Sequence, residues 1–404
     1  MLDFLGSAGS LGAAALGVAG YFTVRRYIDG CRVQVVTGDA KTSAVVRQTG
    51  QEGVVTLRDV LYSSCPSLTD PESAYMVPTP YLATGLLQTI FSTLWVRKKD
   101  AGSDIDYERE LLIMDDAATI SLDWYPGSKE GAHDGPIALV MSGVGGSSHE
   151  HHIRATAKAL AQSAGSFHVV VVNHRGTAKT PITSARPYDS GFTDDFRAAV
   201  KHVREQHPQS KLAGIGFSMG ANILTKYIGE EGSDCLLSCA VTVCNPFDIA
   251  VSGAAMNASN LLNDHVFQPA VMGTLMRALK RAQHLETDPS WNLDVERIRN
   301  AKKLYELEEE ILVKINGYES LADYYRRSSC VHFVDRIAIP YLAINSLDDR
   351  ITPPRGIPVD KFKSNPNIAL ALVPHGGHLG FFAGLPPRIW FIEPIEQFIS
   401  AIIS

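Results

Sequence analysis

Six short apolar runs, separated by stretches with a helical pattern, constrain the fold of this 404-residue chain more than any other feature. Several, such as Val169–Val172, are continuous series of β-branched residues, which are typical of strands buried on both faces of a parallel sheet. Between the runs, Asp194–His207 places Phe196, Val200 and Val203 on one side of a helix that begins with acidic residues. The alternation predicts an α/β domain with a mostly parallel sheet and helices on both faces. The runs are Ile137–Met141, His168–Val172, Leu212–Phe217, Ala240–Cys244, Tyr341–Asn345 and Ile368–Val373.

The chain before these runs is less regular. Two β-type segments, Glu110–Met114 and Thr119–Tyr125, are separated by a short turn and predict a hairpin. Residues 28–105 show weak periodicity, apart from the apolar stretch Tyr81–Trp95, which fits a short helix. We interpret residues 28–105 as an arm that packs on the core of a domain formed by residues 106–404.

One apolar run leads directly into the pentapeptide Gly216-Phe217-Ser218-Met219-Gly220, and the helical pattern Ala221–Ile228 follows. The two glycines leave room for a turn sharp enough to aim Ser218 away from the backbone. A strand, a Gly-x-Ser-x-Gly turn and a helix in succession favour a serine nucleophile. The alternative is a tight turn with an idle hydroxyl. Whether an acid and then a histidine follow in the chain decides between these two interpretations of Ser218.

An acid and a histidine do follow, each directly after an apolar run. Asp348 and Asp349 come after Tyr341–Asn345, and we choose Asp349 because an orienting acid in such a loop usually precedes a proline by four residues. The alternative is that both aspartates cap a turn and face solvent. His378 lies in a glycine-rich segment after the last run, and we choose it as the general base. We expect His375 to make a supporting hydrogen bond.

Backbone N–H groups are our candidates for stabilising an oxyanion. The glycine-rich loop Ser142–Gly146 presents the N–H of Val144, and Met219 directly follows the nucleophile. The loop would also suit a phosphate, but no Gly-Lys-Ser/Thr follows it, so we expect no nucleotide cofactor. The cluster His149–His152 does not have the spacing of an H-E-x-x-H helix, and we expect no metal.

Composition excludes some partners. The net charge is −6 and no Lys/Arg cluster is interleaved with aromatic residues, so we expect no nucleic-acid partner. Six cysteines fall at no metal-like spacing and do not indicate a disulfide framework.

The amino terminus has the composition of a membrane anchor. No charged residue occurs from Phe4 to Val24, a length that spans a bilayer, and Arg25-Arg26 follows at once. We therefore expect residues 1–27 to form a single-pass anchor. A signal peptide fits less well because no basic region precedes Phe4, and a peripheral arm is the remaining alternative. Under the positive-inside rule the arginine pair places the following domain in the cytosol.

The interval between the fourth and fifth apolar runs, residues 246–337, is too long for a simple crossover. Within it, Pro269–His284 carries Met and Leu at helical spacing, and Asp294–Ile315 fits one long charged helix that ends at Asn316-Gly317. We interpret the interval as a helical cap over the carboxyl edge of the sheet. The Met/Leu stripe fits both core packing and an acyl-chain surface.

With these residues in place, the chain resembles the AB hydrolase 4 family of membrane-anchored lipid esterases, which includes α/β-hydrolase domain-containing proteins 1 and 3. The resemblance runs from about residue 75 to the end of the chain. Two departures stand out, since Ser142 replaces a common proline and the His149–His152 cluster is unusual. The matching pieces are Pro78-Thr79, Leu87-Gln88-Thr89, Ile120–Trp124, Gly143-x-x-Gly146, Asn173–Gly176, Thr193–Asp195, Gly216–Gly220, Asp323–Tyr325, Asn345–Asp349 and Gly376–Phe381.

The resemblance implies an α/β-hydrolase fold, with Ser218, Asp349 and His378 as the catalytic triad. It implies a serine esterase or lipase that hydrolyses lipid acyl esters, namely acylglycerols, phospholipids or medium-chain fatty acid esters, through an acyl-enzyme on Ser218. The expected partners are the lipid ester and a membrane, with no cofactor. The expected localisation is single-pass in the endoplasmic reticulum, and family members are often described with the domain on its far side. The alternatives are an acyltransferase that passes the acyl group to an alcohol and a catalytically silent binding protein.

Overall fold

A computed structural model describes residues 25–38, 45–46, 55–96, 105–126, 135–184, 186–281 and 292–403. Most of the strands in these ranges join one nine-stranded sheet in the order β1-β11-β10-β9-β8-β6-β7-β5-β4. The strands are β1 (Gln34–Thr37), β2 (Val45–Val46), β3 (Val55–Thr56), β4 (Glu108–Ile113), β5 (Thr119–Tyr125), β6 (Ile137–Met141), β7 (His168–Asn173), β8 (Leu212–Phe217), β9 (Cys239–Val243), β10 (Tyr341–Ser346), β11 (Ile368–Val373), β12 (Phe382–Ala383) and β13 (Arg388–Ile389).

The middle of the sheet is parallel, as the apolar runs predict. Strands β6 to β11 all run in the same direction, so their carboxyl ends meet at one edge. The predicted hairpin is confirmed, since β4 and β5 pair antiparallel, and β5 in turn pairs antiparallel with β7. At the opposite edge β1 pairs antiparallel with β11, a contact that the sequence analysis did not predict. The weak periodicity of residues 28–105 concealed this strand.

Helices cover both faces of the sheet. Alternate residues of one strand point to opposite faces, so Val169 belongs to one hydrophobic cluster and Val170 to another. The α-helices are α1 (Leu57–Ser64), α2 (Pro66–Thr69), α3 (Gly85–Ile90), α4 (His151–Gln162), α5 (Asp194–Gln206), α6 (Met219–Glu231), α7 (Ile249–Asn257), α8 (Gln268–Arg281), α9 (Val295–Asn300), α10 (Leu304–Leu307), α11 (Lys314–Asn316), α12 (Leu321–Ser328), α13 (Val359–Ser364) and α14 (Ile392–Ile403). Wider π-helical turns occupy Phe91–Val96, Asn263–Phe267 and Glu308–Val313, and short 3₁₀ turns occupy Pro80–Leu82, Gly232–Asp234, Cys330–His332, Val334–Arg336 and Pro354–Gly356.

The interval between β9 and β10 is helical in its described parts, and we call residues 246–337 the helical insertion. The long helix predicted over Asp294–Ile315 is wrong, because the chain breaks between α9 and α10. The break has a clear cause. The Glu306 carboxylate accepts hydrogen bonds from the N–H groups of Lys302 and Lys303, and so begins a new helix at α10. The predicted end of the pattern is confirmed, since Gly317 is left-handed, with φ +70°.

The helical insertion has a small hydrophobic cluster of its own. Met272 of the predicted Met/Leu stripe is buried there beside Ile298, Leu307 and Ile311, so part of the stripe is core. The proposed domain bounds and the role of this insertion as a cap stay predictions.

The predicted localisation is corrected by the structure, whereas most of the predicted anchor is not described. Residues 1–24 lie outside the described residues. The first described helical residues, 25–29, carry Arg25, Arg26 and Asp29, and Arg25 pairs with Asp29. Within the described ranges, the helices are all too short or too polar to cross a bilayer. This finding overturns the prediction of a single-pass protein of the endoplasmic reticulum.

Candidate active site

The turn from β8 to α6 places Ser218 at the carboxyl edge of the sheet. Ser218 has φ +53° and ψ −119°, a strained conformation for a residue with a side chain. Both glycines of the pentapeptide are needed for space. A Cβ atom on Gly216 would lie 2.6 Å from the carbonyl oxygen of Gly220, and one on Gly220 would lie 2.6 Å from that of Ser142. The tight packing fixes the direction of the Ser218 side chain.

The structure brings Ser218, His378 and Asp349 into one hydrogen-bonded chain. His378 Nε2 lies 2.8 Å from Ser218 Oγ, and His378 Nδ1 lies 2.8 Å from Asp349 Oδ2. Asp349 is 3% exposed and also accepts hydrogen bonds from the N–H and the hydroxyl of Thr352. Burial opposes ionisation of Asp349, but His378 and Thr352 outweigh it, so the pKa of Asp349 lies below its ordinary value. The carboxylate is therefore held ionised against the imidazole.

Asp348 points elsewhere. Its carboxylate accepts hydrogen bonds from the N–H of Gly85 at 2.7 Å and from the N–H of Gly377 at 2.9 Å. The carboxylate also lies 3.4 Å from His375 Nδ1. Asp348 thus connects the amino-terminal arm to the loop that carries His378, and neither aspartate is an idle solvent-facing cap.

The arm contributes directly to this loop, which the sequence analysis missed. The N–H of His378 donates to the Thr89 hydroxyl at 2.8 Å, and that hydroxyl donates to the carbonyl oxygen of Gly85 at 2.8 Å. One residue earlier, Gln88 Oε1 accepts a hydrogen bond from the N–H of Phe382. The family motif Leu87-Gln88-Thr89 was the available signal, but periodicity did not assign it a role.

The glycine-rich loop after β6 packs against Ser218. A Cβ atom on Gly143 would lie 3.1 Å from Ser218 Cβ, and the N–H of Gly145 donates to the Tyr188 hydroxyl at 3.0 Å. Val144 is 37% exposed and lines the same cavity as Ser218 and Met219. Met219 is the first residue of α6, so its N–H has no partner within that helix. An oxyanion role for the Val144 and Met219 N–H groups stays a prediction.

The histidine cluster lies beside this site. His151 and His152 begin α4, are buried, and line the cavity together with Glu150. The His151 ring stacks on Phe382, with centroids 6.1 Å apart, and the His152 ring meets Phe217 edge-on. Their described contacts are aromatic packing.

One described group of side chains has ligand atoms close enough together for a metal. The ligand atoms of Cys244, Asp349 and His378 all lie within 4.8 Å of one another. Burial raises the pKa of the Cys244 thiol well above its ordinary value, so it stays protonated and is a poor ligand. The Nδ1 atom of His378 already contacts Asp349. The donor set fits the hydrogen-bonded chain better than a metal site.

Two adjoining cavities open around Ser218. The first, of about 230 Å³, contains Ser218 and His378, together with hydroxyl and amide side chains from several elements. The second, of about 140 Å³, is mainly apolar and lies between the helical insertion and residues 181–190. Both cavities are lined by Val144, Ser190, Met219, Leu304 and Glu308.

Comparison with known proteins agrees with this fold. The chain matches the alpha/beta hydrolase fold family over residues 138–385. It is 30% identical over 352 residues to phospholipase ABHD3 of Mus musculus, covering 85% of this chain and 82% of that protein. It is 31% identical over 363 residues to monoacylglycerol lipase ABHD2 of Danio rerio, covering 86% and 81%. It is 30% identical over 267 residues to monoacylglycerol lipase of Saccharomyces cerevisiae, covering 66% and 59%. The chain belongs to the α/β-hydrolase fold family.

Proposed function

We propose that the protein is a serine esterase that hydrolyses acyl esters of lipids, such as acylglycerols or phospholipids. The observation that carries this proposal is the continuous chain from Ser218 Oγ through the His378 imidazole to the buried Asp349 carboxylate. This is the arrangement that a serine needs in order to lose its proton while it attacks a carbonyl carbon.

In the proposed reaction, His378 Nε2 accepts the proton of Ser218 as Oγ attacks the ester carbonyl. Asp349 accepts a hydrogen bond from Nδ1–H, which fixes the tautomer and stabilises the imidazolium that forms. The N–H groups of Val144 and Met219 donate to the developing oxyanion. His378 then gives the proton to the leaving alcohol. Water, activated by the same imidazole, releases the fatty acid from Ser218.

Two observations support a lipid ester as the substrate class. The relatives reported above include proteins named phospholipase and monoacylglycerol lipase. In addition, the mainly apolar cavity beside Val144 and Met219 gives an acyl chain a place away from water. An apolar chain in this cavity leaves the more polar cavity around Ser218 for the alcohol part of the ester.

A fluorophosphonate probe tests the nucleophile. The wild-type protein should become labelled, and Ser218→Ala should not. Ser252→Ala is a matched control, because the Ser252 hydroxyl lines the same cavity but donates to the carbonyl oxygen of Asp248. An unlabelled wild type, or equal labelling of Ser218→Ala, contradicts the proposal. Hydrolysis of a panel of monoacylglycerols, phospholipids and medium-chain esters, with and without added alcohol, then separates hydrolysis from acyl transfer.

A further inference from the structure

A buried carboxyl group lies in the wall shared by the two cavities. Glu308 begins the π-helical turn Glu308–Val313 in the helical insertion and is 8% exposed. It lines the cavity that holds Ser218 and His378 as well as the apolar cavity. The mechanism proposed above assigns no role to the Glu308 carboxyl.

Its neighbours in sequence have cationic partners, whereas among the described residues Glu308 has none. Glu309 pairs with Arg297, and Glu310 pairs with Arg297 and Lys314. Within the described part of the chain, the one hydrogen-bond partner of the Glu308 carboxyl is the Tyr325 hydroxyl, which donates to Oε2 at 2.7 Å. Burial accordingly raises the pKa of Glu308 to about 7. A leucine or methionine at position 308 could be buried there at a lower cost in stability than a carboxyl group.

The carboxyl is part of a polar cluster that faces the catalytic cavity. Tyr325 and the amide side chain of Asn257 both line that cavity. A Cβ atom on Gly253 would lie 3.1 Å from the Tyr325 hydroxyl oxygen, so the absence of a side chain at Gly253 leaves room for the phenol. Tyr325 thereby holds one carboxyl oxygen and leaves the other for a ligand in the cavity. Local rules broken at a cost in stability are typical of functional positions.

We propose that Glu308, held by Tyr325, binds a free hydroxyl group in the alcohol part of the ester substrate. The inference rests on the proposed function and names the kind of ester that this site selects. An acyl chain offers no hydrogen bond, whereas the alcohol part of a partial acylglycerol carries free hydroxyl groups. A carboxyl group binds a hydroxyl in either protonation state, because it accepts a hydrogen bond when ionised and can also donate one when protonated. A quaternary ammonium group binds well to aromatic ring faces or to an ionised carboxylate, whereas the Tyr325 hydroxyl donates to this carboxyl and burial favours its neutral form.

Two esters that differ only in hydroxyl groups test this inference. Octanoylglycerol and propyl octanoate have the same acyl chain and the same three-carbon alcohol skeleton, and only the first has free hydroxyls. The measurement is kcat/KM for each ester with the full chain. Glu308→Met, which removes the carboxyl at similar length, should reduce the preference for octanoylglycerol by about ten- to hundredfold. Glu308→Gln should recover part of that preference, since an amide still hydrogen-bonds to a hydroxyl.

Glu309→Gln is the control, because Glu309 is adjacent, half-exposed and paired with Arg297. It should leave the preference unchanged. Fluorophosphonate labelling of each variant shows that the Ser218 site is intact. An unchanged preference in a Glu308→Met protein that is still labelled overturns the inference and leaves the proposed function standing. If Glu308→Met instead loses activity selectively on octanoylcholine, the inference is wrong, because Glu308 then binds an ammonium group and not a hydroxyl. If the wild type is not labelled and hydrolyses neither ester, the proposed function and this inference both fail.

Discussion

The amino-terminal arm positions the histidine, and replacing Thr89 by valine tests this directly. Thr89 is 4% exposed, and its hydroxyl accepts from the N–H of His378 and donates to the carbonyl oxygen of Gly85, both at 2.8 Å. Valine has nearly the same shape, so Thr89→Val removes the hydroxyl without opening a large cavity. The buried N–H of His378 then loses its partner, whereas the carbonyl oxygen of Gly85 keeps the helical N–H of Thr89 as a donor.

The size of the effect follows from the contact that the N–H of His378 loses. Leaving a buried donor or acceptor unpaired costs about 1–3 kcal/mol for each group. The loop can relieve the cost at His378 only by moving its N–H toward another acceptor or water, and this movement takes the imidazole away from Ser218. If 1–3 kcal/mol of that cost is expressed in the transition state, kcat/KM falls by about five- to 150-fold. The main loss should be in kcat, because the substrate contacts stay in place.

The assay is steady-state hydrolysis of a soluble medium-chain ester, together with the rate of fluorophosphonate labelling. Thr89→Ser keeps the hydroxyl and should restore most of the activity. Thr84→Val is the control on the same helix, because the Thr84 hydroxyl caps α3 and accepts from the N–H of Leu87. Its loss costs about 1 kcal/mol of helix stability without touching His378. If Thr89→Val retains full kcat and labelling rate, or if Thr84→Val loses as much activity, the arm only covers the core and the reasoning is wrong.

Three further predictions concern single residues of the site. Asp349→Asn should lower kcat by about four orders of magnitude, because the imidazole loses the acceptor that fixes its tautomer. Steady-state kinetics of Asp349→Asn and Asp348→Asn test this prediction, and an equal loss of kcat in the two variants would contradict it. Burial raises the pKa of the Glu308 carboxyl from 4.5, its value in the unfolded chain, to about 7 in the folded protein. Below pH 4.5 the carboxyl is protonated in the folded and unfolded states alike. As the pH rises from there through about 7, the free energy of unfolding falls. At about pH 8 the fall in the free energy of unfolding amounts to about 3 kcal/mol, so Glu308→Gln should melt about 4 °C above the wild type there and at the same temperature near pH 4.5. Thermal melts at both pH values measure this difference, and an equal difference in melting temperature at both would refute the prediction. Gly145→Ala should reduce both stability and labelling rate, since Gly145 has φ +63° and a Cβ there would lie 2.4 Å from Thr274 Cγ2; an unchanged melting temperature would count against the packing described.

The core of the fold could be predicted because its signals are local. Continuous β-branched runs such as Val169–Val172 are compatible with few structures other than buried strands, and all six predicted runs form strands of the sheet. The order of serine, acid and histidine followed from three such runs, each with polar residues at its carboxyl end. Parallel strands bring those ends to one edge, so the sequence places Ser218, Asp349 and His378 near one another without any knowledge of side-chain geometry.

Long-range contacts could not be predicted in the same way. The spacing to Pro353 favoured Asp349 as the partner of His378, but only the tertiary structure shows that Asp348 contacts Gly85. The break between α9 and α10 depends on where the Glu306 carboxylate finds N–H donors, which helical periodicity does not record. The anchor prediction relied on the length of an uncharged run alone, and the described helices contradict the localisation derived from it.

The contacts of the arm also determine when the site can form. Thr89 and His378 are separated by 289 positions in the chain, and β1 pairs with β11, close to the other end. Contacts over such distances form late, because a long loop must close before they add stability. During synthesis β1 and α3 are made before their partners and stay unpaired until β11 and the loop after it have been translated. The histidine loop therefore becomes ordered only after β11 has been made, and we expect fragments that end before β11, which lack His378, to be inactive although their elbow serine is already in place.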